Sequence, residues 1–267
     1  MLKDITIGQY FPGDSFVHLL DPRMKIVISF IFIILIFFIK SFLGYAFILL
    51  FIGTIIGVSG IPPKYVIKGL RPLLFIILLT FILNIFFTSG GRELWRWGFL
   101  VITEEGLIQG TLMALRLVFL VSGTSLLTLT TSPIALTDGI ESLLKPLKLI
   151  KFPSHELAMM MTIALRFIPT LLEETDKIMK AQMARGADFE SGNILQRAKS
   201  LIPLLVPLFI SAFRRADELA MAMESRCYRG GDNRTRMKIL KVDKRDYIAL
   251  SFTMLLVFTI IWDTYLR

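Results

Sequence analysis

Long apolar runs separated by short charged breaks fill the chain from Ile26 to Thr131, and the pattern predicts membrane spans rather than an aqueous core. Positions 26–39 form one run, Lys40-Ser41 breaks it, and positions 42–61 form the next. The first run falls short of the roughly 20 residues that cross a bilayer's hydrocarbon. A helix start near Arg23 and snorkelling of Lys25 and Lys40 supply the missing length. Further spans are read at about 72–88, after Arg71-Pro72, at 107–130, and at 247–265, where Trp262 and Tyr265 suit an interfacial belt. The reading is thus five spans.

Positions 132–246 have a different pattern, with apolar stripes set among charges: 19 Lys/Arg against 14 Asp/Glu. Pro133, Pro146 and Pro153 punctuate a short helix at 134–150, and a second helix runs over about 154–185 from the N-cap candidate Ser154. A third covers 193–227, with Pro203 and Pro207 in its first half. The stretches 157–172 and 201–213 are the most apolar here. Arg166 near the middle of the first, and two prolines within the shorter second, argue for helices lying along the cytoplasmic interface.

Composition agrees. Hydrophobic residues make up 54% of the 267, mean hydropathy is +0.67, and the charged 19% is concentrated outside the runs, as in an integral membrane protein. The net charge of +9 points to a cytoplasmic face near anionic lipid, not to nucleic acid, because no basic run is interleaved with aromatics. Loop 60–71 holds Lys64, Lys68 and Arg71 and no acid, whereas loop 89–104 balances Arg92 and Arg96 against Glu93 and Glu104. The positive-inside bias then sets the N-terminus in the cytoplasm and the C-terminus outside. The polar lead before Ile26 predicts no cleavable signal peptide. Seven Lys/Arg within 229–245 make a juxtamembrane cluster suited to anionic lipid.

Candidate chemistry is sparse. Cys227 is the only cysteine, and His18 and His155 are the only histidines, far apart in sequence, so neither an intrachain disulfide nor a Cys or His metal cluster is expected. GxxxxGK[ST], HExxH and GxSxG are missing, so no P-loop nucleotide site, catalytic residue or cofactor is assigned. The carboxylate pairs Glu104-Glu105 and Glu173-Glu174 are read as solvated. Arg116 and Asn84 are the polar groups of note in the spans, and neither makes a substrate path.

One pattern stands apart. Ala184-Arg185-Gly186 and Ser225-Arg226-Cys227 each close an amphipathic helix. Aligned on the arginines, Asp176 matches Asp217, Ile178 matches Leu219 and Ala181 matches Ala222. One such tip is ordinary helix termination, with arginine against the dipole. Two at the ends of similar helices suggest paired plugs, since small neighbours allow close approach and a guanidinium fork reaches carboxylates or carbonyls.

These tips, together with the segment His18-Leu-Leu-Asp21-Pro22-Arg23-Met-Lys25 before the first span, resemble the transmembrane T component of energy-coupling factor transporters. The resemblance covers essentially the whole chain. It implies that the tips insert into grooves of two ABC-type ATPase subunits, with Ala184, Arg185, Gly186, Ser225, Arg226 and Cys227 as the ATPase-binding residues. The second tip departs from Ala-Arg-Gly but keeps small neighbours. The resemblance also implies a small membrane substrate-binding S component, a micronutrient cargo and ATP hydrolysis in partner subunits. Met159, Met160, Met161, Met179, Met183, Met221 and Met223 give the two helices adaptable faces for such a partner or for plain packing.

The expectation is therefore an all-α, multi-pass cell-membrane protein in three parts. Positions 1–131 form the lead and four transmembrane helices, 132–246 the cytoplasmic or interfacial coupling helices, and 247–267 the last span. A self-sufficient permease working without an ATPase is the alternative.

Overall fold

The computed structural model describes residues 10–88, 90, 92–97, 100–189, 193–230 and 240–265, and it is almost wholly helical. The chain divides into two compact units, Gly8–Ser142 with Ile239–Arg267, and Leu143–Lys238.

In the first unit, α1 (Pro22–Phe38) starts because Asp21 accepts the Arg23 N–H at 2.9 Å and Pro22 supplies a preset φ at the first helical position. It stops before Lys40, where Ser41 caps α2 (Phe42–Ser59) by accepting the Gly44 N–H at 3.0 Å. Gly60 in the left-handed region (φ 67°) ends α2. The third expected span starts earlier than its apolar run. Pro63 opens α3 (Pro63–Leu70), a 3₁₀ turn at Arg71–Leu73 absorbs Pro72, and α4 (Leu74–Phe87) continues. The segment read as a plain loop at 89–104 holds an antiparallel pair, β1 (Glu93–Trp97) with β2 (Leu100–Thr103). Thr103 then accepts the Gly106 N–H at 3.1 Å and donates to the Thr88 carbonyl at 2.9 Å, capping α5 (Glu104–Thr130) against the end of α4.

Backbone contact joins α4 to α5. A methyl group on Gly106 would lie 2.9 Å from the Ile85 carbonyl, and one on Gly110 would lie 3.2 Å from the Phe81 carbonyl. Glycines four residues apart let membrane helices approach this closely. The unit's core is formed by Phe32, Ile36, Ile48, Phe51, Phe119 and Leu126, with Leu256 and Ile260 of α10 (Lys244–Tyr265). Arg116 does not face a substrate path: it donates to the Ile39 carbonyl at 3.2 Å, satisfying the α1 terminus.

Asp21-Pro22-Arg23, read from sequence as a turn and a positive flank, also forms a buried polar clasp. Asp246, 1% exposed, accepts the N–H groups of Asp21 and Asp243, both at 2.8 Å. Lys25 donates to the carbonyls of His18 and Thr130 at 3.0 Å each, and Arg23 donates to that of Leu240 at 3.2 Å. The segment leading into α1, the end of α5 and the start of α10 meet there, which gives buried backbone groups the partners they require.

The second unit begins within α6 (Pro133–Leu144), which is shorter than the expected helix because Pro146 turns 145–150 into a 3₁₀ segment. In α7 (Ser154–Ala184), Ser154 is the first helical residue rather than its cap, a place taken by Pro153. The third expected helix is broken at Leu201 into α8 (Ile194–Ser200) and α9 (Ile202–Ser225). By length and composition, six segments among the described residues are apolar and long enough to cross a membrane: Phe42–Ser59, Pro63–Phe87, Glu104–Thr130, Ser154–Ala184, Leu195–Ser225 and Lys244–Tyr265. The set includes α7 and α9, the least apolar of the six, and omits α1, which has 17 residues.

Candidate functional site

Helix α7 continues past Pro169 to Ala184 because its first half is an apolar stripe and its second a run of good helix formers. What stops it is a left-handed residue. Gly186 takes φ 89° and donates its N–H to the Met183 carbonyl at 2.9 Å, while the Ala187 N–H reaches the Gln182 carbonyl at 3.0 Å. Helix α9 ends the same way. Cys227 takes φ 56° and donates to the Glu224 carbonyl at 2.8 Å, and the Tyr228 N–H reaches the Met223 carbonyl at 3.0 Å.

Both tips are therefore Schellman caps with the same pair of hydrogen bonds. Arg185 and Arg226 hold the same cap position, at φ −90° and −92°. Cys227 is the structural counterpart of Gly186, in a conformation that costs an L-residue about 1–2 kcal/mol. The site residues assigned from sequence, Ala184, Arg185, Gly186, Ser225, Arg226 and Cys227, are all exposed. Among the described residues neither arginine has an ion-pair partner.

The two helices pack on one another. Arg215 of α9 donates to Glu174 of α7 at 3.0 Å, with Ser211 a further polar neighbour of that carboxylate. Closer to the first tip, Gln182 reaches the Pro203 carbonyl at 3.5 Å. As numbers rise along α7 they fall along α9, so the helices run antiparallel and the tips lie at opposite ends of the pair. Glu174, read from sequence as a solvated carboxylate, is an ion-pair partner across this contact; Glu173 beside it is exposed.

Among the described residues, none covers the outer face of α9. Ile202, Leu205, Val206, Phe209, Ile210 and Phe213 are exposed at helical spacing. Met160, Met161, Met183 and Met221 are exposed as well. No group of three His, Cys, Asp or Glu side chains among the described residues is placed to hold a metal ion. The first unit holds a half-open pocket of about 370 Å³ lined mainly by apolar residues, including Phe32, Ile55, Leu126 and Phe252. The amine of Lys25 in its wall is bonded to two backbone carbonyls.

The described residues form an all-α, multi-pass membrane protein that carries two matched arginine tips. The family described as CbiQ, cobalt transport protein, matches residues 13–237. The energy-coupling factor transporter transmembrane protein EcfT of Clostridium kluyveri is 66% identical over 258 residues, covering 96% of both chains. That of Thermosediminibacter oceani is 66% identical over 255 residues, again covering 96% of each. The Bacillus subtilis protein is 52% identical over 240 residues, 90% of this chain and 91% of that one. The chain belongs to this family of energy-coupling factor transporter transmembrane components.

Proposed function

We propose that this chain is a non-catalytic coupling subunit whose arginine tips dock two ABC-type ATPase subunits. The observation carrying the proposal is the pair of exposed arginines on identical caps at opposite ends of one antiparallel helix pair. Each cap directs the chain away from the helix end and places only small side chains beside the guanidinium, so a groove can close around it.

The exposed apolar face of α9 and the methionines of both helices receive a small membrane-embedded S component that carries a micronutrient. ATP binding and hydrolysis in the partners move the tips, and the helices pass that motion to the S component. In this reading the N-terminus and the helix pair are cytoplasmic and the C-terminus external. Counting α7 and α9 as spans leaves the C-terminus external but puts the two tips on opposite sides of the membrane, so the docking reading keeps both helices at the cytoplasmic interface.

The test is co-purification of the ATPases with Arg185→Glu/Arg226→Glu in native membranes. Loss of both ATPases from a protein that still elutes as a folded species is expected. ATPases retained at wild-type stoichiometry would overturn the proposal. Uptake by the purified chain alone in liposomes would instead favour a self-sufficient permease.

A further inference from the structure

Glu174 and Arg215 are separated in the chain by the same interval as Arg185 and Arg226. Counted back from its own tip, each therefore occupies the same position, three helical turns before the arginine. The neighbouring Glu173 and Arg214 match in the same way, so an acidic pair on α7 occupies the positions of a basic pair on α9.

In an antiparallel pair, equivalent positions meet only on a local two-fold axis. By the Glu174–Arg215 contact, the crossing of α7 and α9 lies about midway between the tips, with arms of about 16 Å each at a rise of about 1.5 Å per residue. On such an axis a residue meets its own counterpart, so like residues would set like charges in contact. Glutamate on one arm and arginine on the other make the crossing attractive in the α7–α9 pairing and repulsive in α7–α7 or α9–α9 pairings between copies.

The pair is partly exposed, with 36% and 22% of the Arg215 and Glu174 side chains accessible. An exposed ion pair adds little stability. Register is the better-attested use of a polar contact between helices. Apolar stripes alone permit slippage by a helical turn, which would lengthen one arm by about 5.4 Å and shorten the other.

We propose that Glu174 and Arg215 are a positioning pair that pins the crossing of the two arms at their midpoint and so sets the distance between the arginine tips. In this role the pair acts through Arg185 and Arg226. Its importance for transport rests on the reading of the tips as ATPase docks, but its effect on tip geometry does not.

The test uses spin labels at the equivalent exposed positions Lys180→Cys and Met221→Cys in a Cys227→Ser background, read as a distance distribution by pulsed electron resonance in nanodiscs. One narrow distance is expected in the parent. Glu174→Arg or Arg215→Glu alone should broaden or shift it, and the exchange Glu174→Arg/Arg215→Glu should restore it. In the assembled transporter without labels, the single reversals should keep both ATPases bound and lower ATP-driven uptake by about tenfold, with recovery in the exchange. Distances unchanged in the single reversals, or not restored by the exchange, would overturn the proposal. ATPases that stay bound to Arg185→Glu/Arg226→Glu would refute the docking reading while leaving the distance result intact.

Discussion

Replacing Cys227 by glycine should make the second arginine tip more rigid, and its magnitude follows from backbone geometry. Cys227 sits at φ 56°, a left-handed conformation that costs an L-residue about 1–2 kcal/mol. Glycine removes that cost and adds about 0.4–1 kcal/mol of unfolded-chain freedom. The net gain is about 0.5–1 kcal/mol, confined to the cap. Because about 1.4 kcal/mol is a factor of ten, amide exchange should slow by roughly two- to fivefold at residue 227 and at Tyr228, whose N–H groups close the cap. The reciprocal change, Gly186→Ala, should speed exchange at Gly186 and Ala187. A methyl group at Gly186 meets nothing within 4 Å, so that cost is purely conformational at φ 89°. Exchange mass spectrometry of the purified chain in nanodiscs reads both. Exchange at 227–228 as fast as or faster than wild type in Cys227→Gly would refute the reasoning and show that strain is not what limits this tip.

Substitutions at three other positions test the framework. Asp246→Ala strands the buried N–H of Asp21 and frees the part-buried N–H of Asp243 and should cost about 2–4 kcal/mol; the thermal midpoint in detergent should fall, and less so for Asp246→Asn. Gly106→Ala puts a methyl group 2.9 Å from the Ile85 carbonyl, which should destabilise the α4–α5 contact by about 1–3 kcal/mol in the same melt. Gly53→Ala on α2, where a methyl group meets nothing within 4 Å, should leave the midpoint unchanged or slightly raised; a drop as large as that of Gly106→Ala would undo the packing argument.

Apolar run length makes most of the spans legible, because a bilayer demands continuous apolar helix. The hairpin at 93–103 is not legible: charge balance is the local signal there, and a strand acquires meaning only with its partner. Pro72 looks like the start of a span, yet a 3₁₀ turn lets the helix begin at Pro63. At Asp21-Pro22-Arg23 the local signal is sound, cap and proline both, but Asp246 lies far along the chain and nothing local announces it. The arginine tips are legible as a repeat. Their alignment draws the eye to likenesses such as Asp176 with Asp217, so the complementary Glu174 and Arg215 pass as ordinary solvated charges.

The two-fold relation between the arms also has a mechanical consequence. Suppose both tips are displaced by amounts related through the same axis. Components perpendicular to the axis are equal and opposite and cancel at the crossing, while components along it are equal and add. Drift of the tips in one shared direction across the axis is not such a motion. Under the proposed coupling, such a pair would turn a symmetric closure of the tips into a thrust along one line.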